Sequence, residues 1–139
     1  MAPEASGLRY LLDTHLLVWW YEDSPRLPPR HRRLLERAES EGGRVAVSAI
    51  SLWEIAKLVE IGRLRLTLSI DECLADVEGN PGIAVLPLTG RVAVESTRLG
   101  ERFPRDPADQ VIAATARCHA LTLLTVDDRI RNSGAVAVL

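Results

Sequence analysis

Short apolar runs alternate with helix-length segments along this chain, and that alternation restricts the fold more than any other feature. Residues 9–13 (Arg-Tyr-Leu-Leu-Asp), 44–47 (Arg-Val-Ala-Val), 83–86, 121–125 and 135–139 read as five strands. Segments 14–21, 30–41, 49–61, 69–78, 89–103, 106–119 and 128–132 read as helices. Pro29 suits the first turn of the second helix and Gly42-Gly43 ends it; Gly62 stops the third. Ser69-Ile-Asp-Glu72 has the spacing of a capping box. Residues 63–68 alternate polar and apolar and read as an extended arm or a small hairpin. Strands alternating with helices imply βαβ units, hence a mostly parallel sheet covered on both faces.

At 139 residues the chain is expected to form one domain, residues 8–139, behind a loose leader, residues 1–7. Asp13, Glu54 and Arg117 interrupt the longest apolar runs, so no membrane span is expected. The start of the chain lacks a basic segment followed by an apolar core, which points to the cytoplasm. A formal charge of −2 argues against coating nucleic acid by bulk charge, although a local basic patch is compatible with it. The cations are sixteen Arg and one Lys, Lys57, and Arg suits bidentate contact with phosphate or carboxylate. Cys73 and Cys118, each among apolar residues, read as reduced structural thiols.

Four acids mark the joints. Asp13 and Asp127 each follow a strand; Glu54 and Asp109 lie near the start of apolar helices. In a parallel α/β sheet those places meet in one crevice beyond the carboxyl ends of the strands. Carboxylates gathered there repel one another unless a cation neutralises them, and oxygen-only ligation suits Mg²⁺ or Mn²⁺. Each acid also has a structural reading. Asp13 and Asp127 are placed to cap the helices that follow them. Ser51-x-x-Glu54 has capping-box spacing, with Ser48 as a rival cap. Asp106-Pro107-Ala108-Asp109 makes a good helix start without any chemistry. The joint placement of all four at one end of the sheet, with Glu54 set among Leu52, Trp53, Ile55 and Ala56, favours a site.

Taken in order, residues 11–20 (Leu-Leu-Asp-Thr-His-Leu-Leu-Val-Trp-Trp), 47–56 (Val-Ser-Ala-Ile-Ser-Leu-Trp-Glu-Ile-Ala), Gly62-Arg-Leu, 105–116 and 121–127 resemble the PIN-domain ribonuclease toxins of the VapC type. The resemblance runs over nearly the whole chain from Leu8. It implies a three-layer α/β/α sandwich with a five-stranded, mostly parallel sheet in the order 3-2-1-4-5. It implies that Asp13, Glu54 and Asp109 are the three main acids, Asp127 the more variable fourth and Asp106 an accessory. Asp128 is an alternative to Asp127, which is preferred because it directly follows the strand. Ala108 and Gln110 depart from the Phe and Arg of the related subgroup, which leaves local packing and any contact of that Arg open.

Phosphodiester hydrolysis needs a polarised phosphoryl oxygen, an activated water and a stabilised leaving oxygen, and Mg²⁺ or Mn²⁺ can supply all three. Asp13 and Asp109 are assigned as direct ligands. Glu54 and Asp127 are assigned to water-mediated or second-ion binding, and one of the two to orienting the attacking water. Thr14 is a candidate for bonding a phosphate or a water. His15, His31 and His119 show no ligand spacing. Trp19 and Trp20 read as core or subunit interface, and Arg63 and Arg65 as contacts for RNA, a partner or solvent. The resemblance implies an endoribonuclease toxin, a homodimer, and a VapB-type antitoxin whose helix would dock on Trp19, Trp20 and Leu34–Leu35, near Trp53. A receiver module would need a phospho-accepting Asp after the third strand and a Lys after the fifth; the third leads into Pro87-Leu-Thr, and Lys57 is the one lysine. A haloacid-type phosphatase would need Asp at His15. The remaining rival is a non-catalytic PIN-like module that binds RNA or protein.

Overall fold

A computed structural model describes residues 7–139. Apart from Gly7, the expected leader lies outside the described residues. The elements run β1 (Tyr10–Leu12), α1 (Thr14–Tyr21), α2 (Pro29–Ser40), β2 (Val45–Ser48), α3 (Ala49–Glu60), α4 (Ile70–Gly79), β3 (Ile83–Leu86), α5 (Gly90–Glu95), α6 (Pro107–Cys118), β4 (Thr122–Leu124) and α7 (Asp128–Ser133). The strands form one parallel sheet in the order β3-β2-β1-β4.

Successive strand residues point to opposite faces, and here both faces are covered. Leu12, Val45 and Val47 join Leu16, Leu17, Leu35, Ile55 and Val77 in one buried cluster. Leu11, Ala46 and Leu86 join Ile112, Ala113, Ala116 and Phe103 in the other. Burying a side chain such as Leu12 completely stabilises the fold by about 1.5–3 kcal/mol relative to exposure, and this double coverage fixes the strand ends from which the acids project. Cys73 is buried, Cys118 half-buried, and both are free. No helix among the described residues is long and apolar enough to cross a membrane.

Among the described residues the sheet has four strands, one fewer than expected. Residues 135–139 make a single parallel bridge, Leu123 to Val138, instead of a fifth strand. The Leu123 N–H donates to the Ala137 carbonyl (2.8 Å) and the Leu139 N–H to the Leu123 carbonyl (2.9 Å). β4 is only three residues long, and past Thr125 the chain leaves for α7, so its outer edge offers one full pairing position. The expected helix over 89–103 stops at Glu95. The Ser96 and Thr97 hydroxyls donate to the Ala93 and Val94 carbonyls, giving the helix end side-chain partners in place of continued turns. Gly100 then takes φ +92°, and Leu99 and Phe103 fold onto the core. Residues 63–68 form neither strand nor hairpin: Leu64 and Leu66 pack on the core, and both carboxylate oxygens of Glu22 hold Thr67.

Candidate active site

β1 and β4 lie side by side, with Leu12 opposite Leu124. The chain order reverses between them, the place where open α/β sheets leave a crevice. Asp13 follows β1 and Asp127 lies just beyond β4, so these two carboxylates reach the crevice from neighbouring strands. α3 and α6 bring the others. Glu54 lies in the second turn of α3, and Asp106 and Asp109 stand at the start of α6. One cavity of about 360 Å³ is lined by Asp13, Thr14, Glu54, Asp106, Asp109 and Asp127, together with His15, Trp19 and Arg129. All six expected site residues therefore meet. Asp128 is exposed and does not line the cavity.

The cap readings hold as well. Asp13 caps α1 by accepting from the Leu16 N–H at 2.9 Å. Asp106 caps α6 by accepting from Ala108 and Asp109, and Asp127 caps α7 by accepting from Arg129. In α3 the cap is Ser48, so Ser51 and Glu54 form no capping box. Glu54 lines the crevice instead, and Ser51 stands behind it against Thr14. Buried Thr14 donates its hydroxyl to Oε1 of Glu54 and lies 3.0 Å from the Ser51 hydroxyl. Thr14 thus fixes Glu54 and turns its own polar group away from solvent.

Each acid sits in its own electrostatic setting. Burial pushes the Asp13 carboxyl up, against hydrogen bonds from Thr125 and the Leu16 backbone. Asp109 is pushed up to about 7, first by burial and then by repulsion from Asp106, Glu54, Asp127 and Asp13. Asp127 goes the other way: burial works upward, but the side chain and backbone of Arg129 outweigh it and hold the carboxyl below its usual range. The guanidinium grips both oxygens, Nη2 to Oδ2 at 3.0 Å and Nε to Oδ1 at 3.3 Å. Sequence reasoning missed Arg129, whose signal is its place two residues after the acid that caps the helix. It read Ser51 only as half of a capping box with Glu54; three residues before Glu54, Ser51 lies on the same helical face.

Among the described residues, no three or more His, Cys, Asp or Glu side chains form a group already able to hold a metal ion. The carboxylates share a cavity without closing around a point. The donor set still fits a hard cation, because Mg²⁺ keeps several waters and takes only one or two carboxylates. The upward push on Asp109 comes first from burial and then from the four neighbouring acids, as expected where carboxylates gather without a counter-charge.

The PIN-domain family model matches residues 10–135. The chain belongs to the PIN-domain family. This PIN domain is 34% identical over 122 residues to Ribonuclease VapC22 of Mycobacterium tuberculosis, covering 88% of this chain and 89% of that protein. It is also similar to FitAcB from Neisseria gonorrhoeae, at 26% identity and TM-score 0.66 over 94% of this chain and 96% of that one. DNA-bound VapBC from Salmonella typhimurium shares the fold at 22% identity and TM-score 0.69, over 95% and 97% of the two chains.

Proposed function

We propose that this PIN domain is a toxin endoribonuclease that hydrolyses RNA phosphodiester bonds with Mg²⁺ or Mn²⁺ and is restrained by a VapB-type antitoxin. The observation that carries the reading is the convergence of Asp13, Glu54, Asp109 and Asp127 in one cavity. The relationship to a VapC ribonuclease supports it, as do structural relatives from toxin–antitoxin complexes. Asp13 and Asp109 would hold the cation, with Glu54 and Asp127 reaching it through water. When bound, the cation supplies Lewis-acid polarisation of a phosphoryl oxygen and acidification of water.

The chain's own residues supply position and proton handling. Thr14 occupies Oε1 of Glu54, which leaves Oε2 to accept from the attacking water and aim it. Asp109 holds a proton near neutral pH in the cation-free site and must release it to become a ligand. Asp13 is locked by the Leu16 N–H and by Thr125. Asp106 caps the helix that carries Asp109 and adds negative charge beside it.

The antitoxin and homodimer surfaces belong to the same proposal, with one revision. Leu35 is fully buried and is not available as a docking face, while Trp53 is 56% exposed on α3 and Trp19 and Trp20 are half-buried. A cytoplasmic location suits a free-thiol chain of this kind. The test is RNA cleavage by the purified protein, with Mg²⁺ or Mn²⁺ and then with EDTA. Cutting that EDTA stops, and that Asp13→Ala, Glu54→Ala and Asp109→Ala each abolish in a folded protein, supports the reading. A metal-independent or mutation-insensitive activity overturns it, and no cutting of any RNA returns the chain to a binding module.

A further inference from the structure

Arg129 stands apart from the rest of the cavity wall. Among the described residues it is the one Arg or Lys that lines the acid crevice. It grips Asp127 with two nitrogens, yet its side chain is 71% exposed while that of Asp127 is 27% exposed. The guanidinium therefore lies at the rim, with its far side open to whatever enters the cavity. Its field also reaches Asp109 and Asp106. The acids alone would repel an RNA phosphate, so a substrate that enters needs a cation beside them.

We propose that Arg129 is the built-in counter-cation of the crevice: it holds Asp127 in the metal-free protein and turns to an RNA phosphate once Asp127 is engaged by a divalent cation. This rests on the nuclease reading and adds a substrate-binding residue to it. An exposed ion pair is weak and easily exchanged, which is what an alternating partner requires. The planar fork that grips a carboxylate bidentately grips a phosphate in the same way. The helix α7 carries Arg129 in its first turn, so a side-chain rotation suffices and the backbone can stay in place.

The experiment compares the wild type, Arg129→Gln and Arg129→Lys as full chains. Mn²⁺ affinity is read by calorimetry without RNA. RNA affinity is read in saturating Mn²⁺ by fluorescence anisotropy with a labelled single-stranded oligonucleotide, in a Glu54→Gln background that prevents cutting and leaves Asp13 and Asp109 in place. Arg129→Gln should bind Mn²⁺ about two- to fivefold more tightly, the size set by one exposed ion pair. It should bind RNA more weakly, with the slope of log K against log salt shallower by about 0.7, the value for one lost phosphate contact to a single strand. Arg129→Lys should keep the salt slope and lose part of the affinity, because lysine keeps the charge without the fork. Opposite signs for metal and RNA are the signature, since a merely structural residue would weaken both. Unchanged Mn²⁺ affinity, or unchanged RNA affinity and slope, in Arg129→Gln overturns the proposal. A wild type that binds no RNA at all overturns the nuclease reading instead.

Discussion

Asp109 is under strain that a single atom change should release. Its carboxyl is pushed up to about 7 from an ordinary 3.8 by burial and by Asp106, Glu54, Asp127 and Asp13. In the metal-free fold it therefore keeps a proton that the unfolded chain gives up near its ordinary value. The sign follows from linkage. Wherever the folded state binds the extra proton, stability falls as pH rises, so the contribution is whole below about pH 4 and gone above about pH 7. At 1.36 kcal/mol per pKa unit the full shift corresponds to about 4 kcal/mol. Asp109 is only half-buried, and solvent screening reduces this to about 1–2 kcal/mol. Asp109→Asn removes the charge at nearly constant shape. In EDTA near pH 8 it should raise the thermal midpoint by roughly 3–7 °C for a chain of this length, and near pH 4 it should change little. Mn²⁺ should reverse the order, because metal at a hundredfold excess over Kd adds about 2.7 kcal/mol to a protein that binds it and less to one that lost a ligand. Calorimetric scans at both pH values, with and without Mn²⁺, decide it. No stabilisation near pH 8 refutes the repulsive cluster, and an equal gain at both pH values assigns the effect to packing instead of charge.

Other outcomes follow from the same geometry. Asp13→Ala, Glu54→Ala and Asp109→Ala should each lower RNA cleavage by at least about a hundredfold, by analogy with losing one electrostatic group from an active site. Circular dichroism checks that each variant folds. Asp106→Ala should cost less activity but about 1 kcal/mol of stability, because it removes the cap of α6; urea titration measures it. Thr14→Val should lower kcat with little effect on KM, since it frees Glu54 without touching the substrate, and steady-state kinetics separate the two. His31 is fully buried, with Nδ1 unpartnered among the described residues and Nε2 bonded to the Leu139 main-chain oxygen at 2.8 Å. Burial lowers its pKa from 6.5, so its neutral form supports the fold above that pH, and the support is lost as pH falls through the lowered folded value. His31→Gln should flatten this acid-side loss in a pH series of thermal scans. Co-expression with an adjacent small antitoxin-like gene should restore growth and yield a co-purifying complex; a toxin harmless when induced alone, with a neighbour that neither binds nor inhibits it, refutes the toxin–antitoxin reading.

The parallel sheet was legible because its signals are local. The runs that became β1 to β3 are apolar on both sides of the pleat, and Pro29, Gly42 and Gly62 punctuate helices that end where the sequence says. The failures lie where tertiary context competes with periodicity. Residues 89–103 carry a helical pattern, but Ser96 and Thr97 bond back to the preceding turn and Gly100 takes a left-handed φ, so Leu99 and Phe103 reach the core from a loop. Residues 135–139 carry strand composition, but a strand needs a partner edge, and the three residues of β4 offer one pairing position.

The acids pose a sharper question, because the structural and the chemical readings of three of them are both true. Asp13, Asp106 and Asp127 cap helices and also line the cavity. The two roles share a cause. A helix whose N-terminus opens on the crevice, as α1 does beyond β1, α7 beyond β4 and α6 after the loop from α5, presents unpaired N–H groups and the positive end of its dipole there. A short acid at that position satisfies the N–H groups with one oxygen, as Oδ1 of Asp13, Asp106 and Asp127 each does. The same helix ends lower the cost of collecting negative charge there before any cation arrives. Glu54 and Asp109 lie outside this arrangement: neither caps a helix, and each depends on its neighbours. Thr14 and Ser51 support Glu54, while among the described residues no hydrogen bond to the Asp109 side chain offsets its repulsion. The acid that lacks a hydrogen bond of its own is therefore the one whose carboxyl burial and four neighbouring acids push up to about 7, despite its place in the first turn of α6, and the one whose removal should stabilise the metal-free protein most.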